Sequence, residues 1–345
     1  MRIFISVDME GISGIEKVEE IFRGMPAYQT FRQIMAGDVN AAIQGAIDGG
    51  ATEIVVADSH GYMCNIRPKD LHRKARLRSG MQRVLCQFKG FSHRFDAAFF
   101  VGYHSKAGTA DGILSHTWIP AFKDVRVNGL SVGEYGLNGY LVGSFGVPVI
   151  LLTGDDKTVE QAKPVLGDIE YVVVKKSLGY FRGEHLPIRE SHARILEAAK
   201  RAVGRFPRRR PTPPRAELPV TFELDLARAE NPLVTRMKEE NLRFVDDDTE
   251  YPFSDVELVA EYEPVQVRWP ETVSFTFDRY ADAYNMLFRI LLYFYERDIE
   301  WLLEEIAKPE TYRRDLAPLV EGSPLNYLRA IRGRGGKARR ARRRA

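Results

Sequence analysis

Short apolar, β-branched runs alternate along this chain with longer stretches in which apolar residues recur every three to four positions. Residues 2–7 form the first such run and read as a buried strand. In residues 30–49, Phe31, Ile34, Met35, Val39, Ala42, Ile43 and Ile47 share one helical face, and Gly49-Gly50 closes the pattern. Residues 53–58 return to a strand pattern. Strand, helix, strand in that order predicts a right-handed βαβ unit and a parallel sheet. Further strands are expected over 81–87, 96–102, 148–153 and 171–175, with shorter extended pieces over 113–118 and 125–127 beside the Asn128-Gly129 turn. Helices are expected over 18–22, 132–145, 156–166 and 191–203; glycines at 133, 136, 139 and 143 imply close packing of the second of these.

Four prolines in residues 206–215 mark a stiff, extended connector. Beyond it, strands are expected over 220–225, 256–259 and 272–277, then a long helix over 279–306 whose aromatic stripe, including Tyr280 and Tyr284, reads as core. The pattern predicts an α/β fold: a mostly parallel sheet with flanking helices in the N-terminal domain, plus a smaller α+β C-terminal domain. The expected boundaries are a catalytic unit over 1–205, the linker over 206–216, the smaller unit over 217–310 and a C-terminal extension over 311–345.

Composition narrows the class. With 345 residues, 44% of them hydrophobic, the chain has ample material for substantial cores. No apolar run approaches the roughly 20 residues needed to span a bilayer. The chain enters its first strand without a basic, apolar leader, and its two cysteines, Cys64 and Cys86, form no CxxC pair. A cytoplasmic protein is the expectation. The net charge of +3 is set by residues 332–345, which hold eight positive charges and no acid; the rest of the chain sums to −5. That tail reads as a disordered, solvated terminus, with phosphate contacts to nucleic acid the less favoured alternative.

Candidate chemistry gathers at strand ends. The first strand runs into Asp8-Met-Glu10, the second into Asp58-Ser-His60 and the strand over 96–102 into Tyr103-His104. In an extended backbone, residues two apart point to one face, so Asp8 and Glu10 converge, and burying two like charges is costly without a cation between them. Ligands in open α/β sheets bind beyond the carboxyl ends of the strands. Asp, Glu and two His at one edge is a donor set suited to zinc and related divalent ions. Glu134, opening a glycine-rich helix, and His116 are further candidates for the same edge. Singly, each has an ordinary explanation as a helix cap, a hydrogen-bonded turn carboxylate or a core histidine; their joint placement favours a metal. Lys175, at the end of the strand over 171–175, is a candidate to steady an oxyanion or a substrate carboxylate, or else a plain exposed strand-end lysine.

The blocks Ser6-Val-Asp-Met-Glu-Gly-Ile-Ser-Gly14, Asp58-Ser-His60, Gly102-Tyr-His104, Ser115-His116, Val132-Gly-Glu-Tyr-Gly-Leu-Asn138 and Gly154-Asp-Asp156 resemble, in order and spacing, the zinc-dependent D-aminopeptidase family of dipeptide-transport operons. A weaker echo lies at residues 278–284. The resemblance implies two zinc ions per subunit. Asp8 would bridge them, with Glu10 and His60 on one ion, His104 and Glu134 on the other, and His116 as the catalytic residue. It also implies a short-peptide substrate, which would lose its N-terminal residue, and a homo-oligomeric, decameric ring. The same ligand types serve a dimetal phosphoesterase or another amidohydrolase, and these stay open as alternatives.

Overall fold

The computed structural model describes residues 1–21, 23, 27–61, 63–80, 85–119, 122–226, 266–268, 272–288, 290 and 291. Its centre is a seven-stranded sheet. In chain order the strands are β1 (Arg2–Val7), β2 (Glu53–Asp58), β3 (Ala75–Arg78) and β4 (Ala97–Tyr103), followed after two short strands of another sheet by β7 (Val149–Asp155), β8 (Glu170–Gly179) and β9 (Arg182–His185). They lie in the spatial order β3-β2-β1-β4-β7-β8-β9. All neighbours run parallel except β9, which turns back on β8. β1 is flanked on both sides, Val7 pairing with Asp58 of β2 and with Val101 of β4. The ends of β1, β2 and β4 therefore open onto one edge.

Alternation along each strand sends side chains to two cores. Ile3, Ile5 and Val7 of β1, Ile54 and Val56 of β2, and Phe99 and Val101 of β4 join one, shared with α2 (Tyr28–Asp48) and α5 (Ile188–Arg205). Phe4, Val55 and Phe100 join the other, with α3 (Glu134–Ser144) and α4 (Asp156–Leu166). α4 starts on Asp155, whose carboxylate accepts from the Thr158 amide at 2.7 Å. A four-residue α1 (Val18–Ile21) precedes α2.

The second sheet is antiparallel: β5 (Phe122–Val127), β6 (Leu130–Ser131), β10 (Val220–Leu226), β11 (Gln266–Arg268) and β12 (Thr272–Phe277), in the order β11-β12-β10-β5-β6. It draws strands from both sides of the proline-rich connector. Its apolar face, with Val125, Phe222, Leu224 and Val273, and a helix at residues 280–288 join the same core as Phe4 and Phe100.

Two expectations need correction, and one strand was not expected. Residues 86–88 form a 3-10 turn entered through Leu85 at φ 56°, not a strand end, while 81–84 lie outside the described residues. The strand beside β2 is instead β3, a half-exposed edge whose Arg76 and Arg78 hide its pattern. Residues 113–118 are not extended, because Leu114 and Trp118 turn left-handed at φ 49° and 61°. The strand expected over 256–259 and the helix beyond 291 lie outside the described residues. No described helix is long and apolar enough to cross a membrane.

Arg126 of β5 pins the second sheet, donating to both Asp225 oxygens on β10 at 2.6 and 2.9 Å, while Thr272 of β12 donates to Asp225 at 2.6 Å. The hydrogen bond from Arg126 holds the Asp225 carboxyl below its ordinary value. A lowered carboxyl contributes stability that is present above the unfolded value, about 3.9, and is lost as pH falls through the folded one. Asp225→Asn is expected to cost under about 1 kcal/mol at pH 7, because solvent screens a partly exposed pair. The gap from the parent should close below pH 4; urea melts at pH 7 and pH 3 check this.

Candidate metal centre

Close approach of two chain segments builds the site. Beyond β1, Gly11 donates its amide to the Gly102 carbonyl at 2.9 Å, and a Cβ at Gly11 would lie 1.8 Å from the Tyr103 carbonyl oxygen. Gly102, at φ 72°, leaves no room either, since its Cβ would lie 2.4 Å from the Asp8 carbonyl. This contact sets Asp8 and Glu10 beside His104. From β2, the buried Asp58 carboxylate accepts from the Asn65 amide, the Asn65 side chain and the Ile66 amide at 2.5, 2.9 and 2.8 Å, closing the loop that carries His60. Glu134 is the first residue of α3, where the helix dipole favours a negative charge.

Six of the residues singled out in the sequence converge. His60 Nδ1 lies 3.4 Å from Asp8 Oδ1 and 3.0 Å from Glu10 Oε2. His104 Nε2 lies 3.3 Å from Asp8 Oδ2 and 3.4 Å from Glu134 Oε1. His116 stacks on His104 with ring centroids 4.1 Å apart, its Nε2 3.7 Å from Glu10 Oε1. Asp8, Glu10, His104 and Glu134 are buried, whereas the His60 and His116 side chains are 14% and 20% exposed and form the rim.

Backbone partners fix which nitrogen each ring turns inward. Nδ1 of His104 pairs with the Ser105 carbonyl at 2.9 Å, and Nδ1 of His116 with that of Leu114 at 2.8 Å. His60 is reversed, with Nε2 on the Ile21 carbonyl at 3.2 Å. A ring N–H given to a carbonyl leaves the other nitrogen as a lone pair. His104 Nε2 and Asp8 Oδ2 are buried, face each other and have no hydrogen-bond partner. Two lone-pair atoms so placed repel unless a proton or a metal ion lies between them.

The electrostatics carry the same demand for positive charge. Burial opposes the charged forms of His60 and His104, yet Glu10, Asp8 and Glu134 outweigh it and hold both well above the ordinary histidine value. Burial alone would raise the Glu10 carboxyl; His60, with His116 and His104 behind it, reverses this and holds it below the carboxylate range. Three carboxylates with His60 and His104 as nitrogen donors suit zinc. Ligand atoms of Asp8, Glu10 and His104, and of His104, His116 and Glu134, lie within 4.8 Å of one another. The residues present fit a divalent metal.

Lys175 stands apart. It is buried within β8, which continues to Gly179, so it is not an exposed strand-end residue. Its ammonium donates to the carbonyls of Glu10, Ile12 and Ile15 at 2.5, 3.0 and 2.6 Å, which engages all three of its protons with backbone oxygens. Burial pushes its pKa down to about 8 against the pull of Asp155 and Asp38. Two groups the sequence reading passed over hold Glu134: the Gln87 side chain donates to Oε2 at 2.6 Å and the Trp118 amide to Oε1 at 2.8 Å. Gln87 was hidden in a stretch that reads as strand. Asn138, one turn after Glu134 on α3 and bonded to Gln87, was signalled by its i, i+4 spacing.

The α/β sheet, parallel but for β9, thus delivers the acid and histidine donors of a metal site from its strand ends. The model of a peptidase family described as D-aminopeptidase matches residues 1–258, and the chain belongs to that family. A D-aminopeptidase of Bacillus subtilis (strain 168) is 36% identical over 178 residues, covering 52% of this chain and 65% of the relative, just under two thirds of its length. Among solved structures, the Zn-dependent D-aminopeptidase DppA from Bacillus subtilis, described as a self-compartmentalizing protease, superposes with a TM-score of 0.73 at 26% identity. That likeness covers 84% of this chain and 97% of the other.

Replacing Lys175 by Met removes the ammonium from three buried carbonyls; that of Ile12 keeps the Ile15 amide at 3.3 Å, and those of Glu10 and Ile15 lose the donor. Each such loss costs about 1–3 kcal/mol, and partial relaxation brings the expected total to roughly 2–4 kcal/mol. Urea unfolding measures it. A lysine that contacted substrate would instead leave stability intact and raise KM.

Proposed function

We propose that this chain is a dizinc metallo-aminopeptidase that removes the N-terminal residue of short peptides. The observation that carries the reading is the division of Asp8, one oxygen turned to His60 and the other to His104. Asp8 would hold both ions, Glu10 and His60 would complete one, and His104 with Glu134 the other. Two divalent ions, when bound, polarise a scissile carbonyl and lower the pKa of water to near neutrality.

The chain's own residues then divide the work. Trp118 and Gln87 hold Glu134 in one orientation. Leu114 takes one ring proton of His116, which leaves Nε2 to accept or deliver a proton at the rim. Stacking on His104 keeps that ring from turning away. Membership in a peptidase family favours amide over phosphate-ester hydrolysis, and the names of the relatives favour D-residues at the amino terminus.

His116→Ala is expected to keep two zinc ions per chain and lose at least about 100-fold in turnover, the scale of an acid–base residue. Asp8→Ala is expected to lose bound metal. Elemental analysis beside hydrolysis of paired L- and D-aminoacyl anilides tests both, with nitrophenyl phosphate as the counter-substrate. The reverse metal pattern, or phosphatase activity alone, overturns the reading.

A homo-oligomer is part of the proposal, in its finer form a decameric ring. DppA is described as self-compartmentalizing, and in this chain Leu178, Tyr180 and Phe181 expose apolar surface around the β8–β9 turn, 40–56% accessible. Light scattering is expected to give a mass well above the 39.3 kDa monomer; a monomer at micromolar concentration refutes assembly.

A further inference from the structure

Glu134 accepts from Gln87 and from the Trp118 amide, and both donors lead back to a single side chain far along the sequence. Gln87 Oε1 accepts from Asn138 Nδ2 at 2.5 Å. The same Asn138 amide group donates to Tyr103 Oη at 2.9 Å, and Asn138 Oδ1 accepts from Tyr284 Oη at 2.7 Å. Tyr103 in turn donates to Ser6 at 2.8 Å. Along the other branch, the Trp118 ring packs edge-on against Tyr284 with centroids 5.2 Å apart. Trp118 sits at φ 61°, a conformation that a bulky residue keeps only where its surroundings over-determine it. Next to Tyr284, Asn285 Oδ1 accepts from the Leu85 amide at 2.9 Å and holds the left-handed entry to the turn that carries Gln87.

Tyr284, Asn138, Gln87 and Glu134 are all buried. In such surroundings the direction of each hydrogen bond matters. An amide turned the wrong way would set oxygen against oxygen, and an unpaired buried polar group costs about 1–3 kcal/mol. The Tyr284 hydroxyl selects the Asn138 oxygen. That turns the Asn138 amide protons toward Gln87, and Gln87 then presents its own protons to Glu134. Remove the hydroxyl, and the Asn138 oxygen loses its donor, which leaves the weaker bias of the Tyr103 and Gln87 contacts to hold that amide orientation.

We infer that Tyr284 is a positioning residue for Glu134, acting through Asn138 and Gln87 and through the Trp118 ring. Tyr284 therefore acts on the catalytic unit, although it lies beyond the 1–258 match of the family model. The inference rests on the two-metal reading and concerns the half of the site formed by His104 and Glu134.

The test is zinc affinity of the full-length protein, by competition with a fluorescent chelator, beside thermal melts. Tyr284→Phe keeps the ring and its packing. It is expected to weaken one of the two ions about tenfold, the usual scale for outer partners of a ligand, while the other stays within about twofold. Added zinc should restore its turnover. Tyr280→Phe is the control: one turn earlier on the same helix, its hydroxyl bonds the Leu137 carbonyl at 3.0 Å and leads to no ligand. It should leave both affinities unchanged. Unchanged affinity in Tyr284→Phe, or an equal loss in Tyr280→Phe, overturns the inference. If Tyr284→Phe does not fold, Gln87→Met decides, since it removes the donor to Glu134; unchanged zinc affinity there also overturns it. A parent protein that binds no zinc would refute the two-metal reading instead.

Discussion

Mutual repulsion among three buried carboxylates, Asp8, Glu10 and Glu134, is the constraint around which this fold is arranged. Like charges taken out of water tend to neutralise or to part. Here the backbone leaves them no freedom to separate. Gly11 and Gly102 let the ends of β1 and β4 touch, the Asp58 carboxylate closes the His60 loop, and α3 begins on Glu134. Histidines on three loops supply partial relief, and the unpartnered Asp8 Oδ2 and His104 Nε2 show where it is incomplete. The strain is local; the two apolar cores on either face of the sheet hold it in place.

Much of the site was legible because strand ends are easy to read. A run of β-branched residues that stops at Asp8, Asp58 or Tyr103-His104 announces both the strand and the side chains it delivers. Lys175 misled for the same reason: its apolar run ends there, yet β8 continues to Gly179 through alternating buried and exposed residues. β3 was hidden because an edge strand carries charge on its open side. The turn at residues 86–88 was hidden because left-handed Leu85 and Cys86 leave no mark in an apolar pattern. Most opaque was the pairing of β5 with β10, which joins residues nearly a hundred positions apart and follows no local rule.

That long-range pairing explains why residues remote in sequence bear on the site. β5 and β6 lead directly into α3, so the sheet that receives β10 and β12 also sets the approach of Glu134. Phe222, Val273 and the helix at 280–288 then pack into the same core as Phe4 and Phe100. A connector rich in proline reads as a boundary, but the strands on either side of it complete one sheet.

The two halves of the site are held by different means, and the difference bears on what each can do. On the His104 side, Glu134 is fixed at both oxygens by buried donors and the imidazole by Ser105, an arrangement that resists displacement. On the His60 side, the Glu10 carboxylate meets the rings of His60 and His116, while Lys175 grips its backbone carbonyl. The main chain is fixed there by a buried ammonium and the carboxylate by side chains, and His60 and His116 stand at the solvent-facing rim beside it. A buried floor with a solvent-facing rim suits a reaction in which one side anchors the centre. Under the proposed reading, substrate would enter, and proton transfer would occur, on the other.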